Sequence, residues 1–97
     1  MILGAKEKQI ILDILSKTIP EVEARVFGSR IHGNASPHSD LDLALLGKGP
    51  LDLKDLGALK EAFEESDLPF RVDVVDWHRI SSQFQKLIEQ NYVLLTH

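Results

Sequence analysis

The chain has no cysteine, so disulfides and thiolate metal sites are both excluded. That composition suits a reducing, cytoplasmic setting. No apolar run reaches the length of a membrane span, and the N-terminus lacks the basic-then-apolar pattern of a secretion signal, so no membrane association is expected. Asn34-Ala35-Ser36 has the form of a glycosylation acceptor, but Pro37 follows it and no secretion signal precedes it. Positive charge is also scarce: 11 Lys and Arg stand against 15 Asp and Glu, for a net charge of −4 and a pI of about 5.5. The cations form no cluster, and non-specific nucleic-acid binding depends on clustered phosphate-neutralising Lys and Arg, which argues against a direct nucleic-acid partner. An acidic chain can still hold nucleotide phosphates when a divalent cation mediates the contact.

What is present is ordinary globular material, 43% hydrophobic and 27% charged. Ninety-seven residues make one domain, 1–97, in which roughly 60–65% of the unfolded surface is buried. Ile10, Ile11, Ile14 and Leu15 recur at helical spacing, which predicts a helix over 5–18, and Pro20 disfavours helix at Ile19. Residues 22–27 alternate, with Val22, Ala24 and Val26 on one side and Glu23, Arg25 and Phe27 on the other, until Gly28 interrupts them. The polar segment 29–39 begins as one helical turn and ends as a loop. A second strand, 40–46, sets Leu41, Leu43 and Leu45 against Asp40, Asp42 and Ala44, and Gly47-Lys48-Gly49-Pro50 breaks it.

Asp52 suits the N-cap of a helix over 53–66 whose inner face carries Leu56, Leu59, Ala62 and Phe63. A third strand spans 70–76. Ser81 or Ser82 would cap a last helix to about Asn91, with Phe84, Leu87 and Ile88 spaced for burial. The apolar tail Tyr92 to Leu95 would add a short strand, packed on the chain's own core or offered to a partner as an edge. The fold class is α/β (α+β): a small mixed β-sheet flanked by helices.

The chemistry concentrates between Gly28 and Asp76. Glycine lets backbone approach an anion closely, and the turn at Gly28-Ser29 aims unpaired N–H groups and a hydroxyl outward. Arg30 could clamp a phosphate or pair with a carboxylate. Ten residues later, Asp40 and Asp42 project from one strand face. On the third strand Asp73 and Asp76 point to opposite faces, so only one can join them. Asp73 lies mid-strand between valines, an unusual place for a carboxylate, whereas Asp76 at the strand end should reach water. Parity thus selects Asp73.

Three gathered carboxylates repel one another unless a cation neutralises them. Magnesium does so with oxygen ligands, and a pair of such ions can hold a triphosphate and activate an attacking hydroxyl. Asp40 and Asp42 would bridge the ions, and Asp73 would complete the one nearest the nucleophile and act as general base. A Gly-Ser turn alone, or an Asp-X-Asp alone, is usually structural; their combination in this order is what points to nucleotidyl transfer. His32, His38 and Trp77 are expected to be structural or solvent-facing.

The pattern Gly28-Ser29-Arg30, then Ser39-Asp40-Leu41-Asp42-Leu43, then Arg71-Val72-Asp73-Val74-Val75-Asp76 resembles the nucleotidyltransferase superfamily related to DNA polymerase beta. Over nearly the whole chain it is similar to the minimal members, the MNT antitoxins paired with HEPN-domain toxins. The resemblance implies the nucleotidyltransferase fold, with Gly28 and Ser29 holding the triphosphate of ATP and Asp40, Asp42 and Asp73 binding magnesium. It also implies transfer of AMP to a tyrosine of a partner HEPN RNase toxin. No further domain is available for a large acceptor, which is expected to bring its own binding surface. Two rival expectations are an antitoxin that neutralises its partner by occlusion alone, and a transferase for a small molecule such as an aminoglycoside.

Overall fold

The computed structural model describes residues 3–32 and 39–95, with the backbone alone for His32. His38, the His32 side chain and the Asn34-Ala35-Ser36-Pro37 segment lie outside what is described. The elements follow in the order α1 (Ala5–Thr18), β1 (Glu23–Phe27), a 3₁₀ turn (Ser29–His32), β2 (Leu41–Leu46), α2 (Leu53–Glu64), β3 (Val72–Asp76), a second 3₁₀ turn (Trp77–Arg79), α3 (Ser82–Gln90) and β4 (Val93–Leu95). Their ends follow local chemistry. Ile19, ahead of Pro20, leaves the helical region at φ −140° and closes α1 by donating its N–H to Leu15 O. The Asp52 carboxylate accepts the Lys54 N–H at the start of α2, and the Ser81 hydroxyl accepts the Phe84 N–H at the start of α3.

One mixed sheet runs in the order β3-β2-β1-β4. β1 lies antiparallel to both β2 and β4, while β2 and β3 are parallel and are joined through α2. Alternation divides the sheet into two faces. Leu41, Leu43 and Leu45 are fully buried on the first, with Ala24, Val26 and Val72 beside them. Ile11 and Leu15 of α1 and Leu59 and Phe63 of α2 complete that core. The second face carries Phe27, Asp42, Ala44 and Asp73, and α3 covers part of it: the rings of Phe27 and Phe84 meet edge to face at 5.7 Å. The Arg25 guanidinium lies over Trp77 (5.2 Å) and Tyr92 (4.4 Å), tying the second 3₁₀ turn and the approach to β4 onto the same face.

Two expectations from sequence are corrected. Leu87, spaced for burial with Phe84 and Ile88, is 64% exposed; only Ile88 of that trio is fully enclosed. Asp76 does not reach water. It is 4% exposed, because even parity turns it to the core face and the 47–51 segment folds over it. Its carboxylate accepts the N–H of Leu51 (2.8 Å), the N–H of His78 (3.0 Å) and Arg79 Nε (3.0 Å). Arg79 also donates to Leu51 O (2.8 Å), and His78 Nε2 donates to Gly47 O (2.8 Å). Asp76 is therefore the knot that holds the breaker segment to the end of β3.

Candidate active site

Asp42 stands at the centre of the second face. In the sheet register it is the cross-strand neighbour of Asp73 on β3 and of Phe27 on β1. Directly opposed residues share a face at close range, so Asp42 and Asp73 form an adjacent pair. Asp40, two residues upstream and just before β2 begins, is of the same parity. Asp40 and Asp73 are each about half exposed, at 49% and 45%. Burial, then Asp73, then Asp40, raise the pKa of Asp42 above the ordinary carboxylate value. Burial first, and the two neighbouring carboxylates after it, disfavour the charged form of Asp42.

The turn meets the acids at Gly28. This residue has φ +84°, and the end of β1 delivers it against Asp42: a Cβ built there would collide with the Asp42 carboxylate. Glycine is required here both for the left-handed backbone and for the space. Ser29 opens a four-residue 3₁₀ turn in which the Ile31 N–H bonds Gly28 O (3.3 Å). Arg30 follows on this turn. Its guanidinium donates to Ser39 O (2.8 Å) and lies 4.5 Å from the ring centre of Phe70, bracing the chain as it enters Asp40.

A cation does reach the acids, and the sequence reading missed it. Arg71 donates to Asp40 (3.3 Å) and pairs with Asp73 (3.4 Å). The signal was available, since Arg71 and Asp73 are two apart and share parity. With Arg71 between two of them, no three acidic or imidazole side chains converge closely enough for one ion among the described residues. The donor set is nonetheless all oxygen, anionic and solvent-accessible, which fits a hard divalent cation. On the outer edge of β3, a groove of about 540 Å³ runs past Asp73 and Arg71 and is walled by Lys60 and Glu64 of α2.

Comparison with known proteins agrees with this geometry. Residues 9–97 match the family model described as "Polymerase beta, Nucleotidyltransferase". The chain is 44% identical, over 93 residues, to the probable protein adenylyltransferase MntA of Haemophilus influenzae, covering 96% of this chain and 82% of that protein. Among solved structures, it superposes with a TM-score of 0.76 on a toxin–antitoxin crystal structure with AMP-PNP, at 27% identity, covering 92% of this chain and 72% of that one. A mutant MntA–HpeT toxin–antitoxin structure gives a TM-score of 0.73 at 23% identity over 92% of this chain and 71% of its own, which supports the fold alone. The four-stranded mixed sheet with three α-helices is thus the nucleotidyltransferase fold expected from the sequence. Among the described residues no helix is long and apolar enough to cross a membrane.

Proposed function

The chain belongs to the polymerase beta family of nucleotidyltransferases, and we propose that it is a magnesium-dependent adenylyltransferase that works as an antitoxin, moving AMP from ATP onto a tyrosine of a partner HEPN toxin. One observation carries the reading: Asp42 is at once the cross-strand neighbour of Asp73 and the group against which Gly28 is packed. The phosphate-sized turn and the acids therefore form one site. The partner class is supported by the toxin–antitoxin structure with AMP-PNP, and a protein acceptor by the name of the Haemophilus relative.

In this reading Gly28 and Ser29 receive the triphosphate through backbone N–H groups and a hydroxyl. Arg30 adds positive charge behind the turn while bracing Ser39. Asp40, Asp42 and Asp73 would hold magnesium, which when bound neutralises the phosphates and the crowded acids together. The tyrosine oxygen attacks the α-phosphorus, the bond to the β-phosphate oxygen breaks, and pyrophosphate leaves. Asp73, half exposed on the edge strand, takes the phenolic proton. Most of the rate gain comes from alignment and charge neutralisation.

The test is to incubate the chain with its HEPN partner, ATP and magnesium and weigh the partner by mass spectrometry. A mass increase of AMP units is expected, and none with Asp42→Asn. A tight complex with unmodified partner would instead support neutralisation by occlusion, and modification of an antibiotic without any protein would support the small-molecule alternative.

A further inference from the structure

Three of the chain's four arginines rest on a ring or a backbone carbonyl. Arg25 lies over Trp77 and Tyr92, Arg30 donates to Ser39 O and packs on Phe70, and Arg79 donates to Leu51 O as well as to the buried Asp76. Arg71 differs. Among the described residues its guanidinium has two partners, the carboxylates of Asp40 at 3.3 Å and Asp73 at 3.4 Å. Charge-assisted contacts of this kind usually close to about 2.7–2.9 Å, whereas Arg79 meets Asp76 at 3.0 Å. The Arg71 side chain is also 71% exposed, and ion pairs open to water are weak. Its backbone is the fixed part, because Arg71 O accepts the Leu41 N–H (2.9 Å) where β2 begins. An anchored backbone thus carries a loosely held cation.

That cation holds two of the three carboxylates assigned to magnesium, while Asp42 has no ion pair among the described residues. A guanidinium is not deprotonated in proteins, so it cannot leave the acids by titration. Magnesium brings twice the charge and takes oxygen ligands only. We propose that Arg71 is the resident counter-cation of the acid site, paired with Asp40 and Asp73 in the metal-free chain and displaced from them as magnesium binds. The freed side chain turns into the groove along β3, which Arg71 already lines and where Glu64 stands in the wall. This rests on the reading that Asp40, Asp42 and Asp73 hold magnesium. It deepens that reading by naming what offsets the crowded acids before the metal arrives, and by making release of Asp73 from Arg71 part of metal binding.

The test follows the arginine itself. Isotope-labelled chain is titrated with magnesium chloride at constant ionic strength, as wild type, Arg71→Gln and Lys60→Gln, while NMR records the backbone amides and the arginine Cδ–Hδ signals. The signal missing from Arg71→Gln identifies Arg71. In the wild type it is expected to move with the same half-saturation as the amides of Asp42 and Asp73, while the signals of Arg25 and Arg79 stay in place. Arg71→Gln is expected to half-saturate at about two- to five-fold lower magnesium, the size of two exposed ion pairs. Lys60→Gln removes a groove cation that forms no ion pair among the described residues, and it should move the midpoint less. An Arg71 signal that stays in place while Asp42 and Asp73 respond overturns the displacement, and so does an equal gain in the two variants. No response of the acids in either the wild type or Arg71→Gln overturns the magnesium reading beneath it, a result distinct from the other two.

Discussion

Asp42→Asn removes a charge that burial, Asp73 and Asp40 all disfavour in the folded chain. A carboxylate whose pKa is raised on folding binds more protons in the native than in the unfolded state, so stability falls as pH rises from the unfolded pKa through the folded one and the deficit is full above the latter. The variant should therefore melt higher than wild type in metal-free buffer at pH 7, while its transfer activity drops to background. Added magnesium should raise the wild-type melting temperature by ligand linkage and leave the variant nearly unmoved. A lower metal-free melting temperature in Asp42→Asn would show that the acid is structural. At Gly28, alanine meets both a left-handed backbone, costing about 1–2 kcal/mol, and the Asp42 carboxylate. Because the obstacle is the end of a side chain, Asp42 can give way. Gly28→Ala should then fold, with a modest loss of stability seen by chemical denaturation, and lose most of its transfer activity.

At the level of elements, Asp76 links β3, the second 3₁₀ turn and the segment leading to α2 through three accepted hydrogen bonds. Asp76→Ala should cost about 2–4 kcal/mol, a large part of the roughly 5–15 kcal/mol a small domain possesses, and a urea melt would read it. An unchanged midpoint would mean that water replaces the carboxylate. The helices and strands were legible because their periodicities are clean: Leu41, Leu43 and Leu45 fix the parity of β2, and the same arithmetic put Asp73 with Asp42. Asp76 was assigned correctly by parity and wrongly by burial. Its enclosure depends on where residues 47–51 fold, a tertiary fact with no local signature. Leu87 erred in the opposite sense, since helical spacing tells which residues share a face and not whether something lies against it. The Phe27–Phe84 contact joins residues 57 positions apart in the chain, and only the folded sheet brings them together.

For the whole molecule, the placement of β3 at the edge of the sheet has a kinetic consequence. The groove on its outer side reaches Asp73 without crossing β1 or the Gly28 turn. In the proposed reading the acceptor reaches Asp73 by that groove while the triphosphate sits at the Gly28 turn, so neither has to leave before the other arrives. No side chain of this chain then needs to carry AMP between visits. Initial rates measured against both substrates should give intersecting double-reciprocal lines, the mark of a ternary complex. Parallel lines, or AMP found covalently on the chain itself, would point to a two-stage relay.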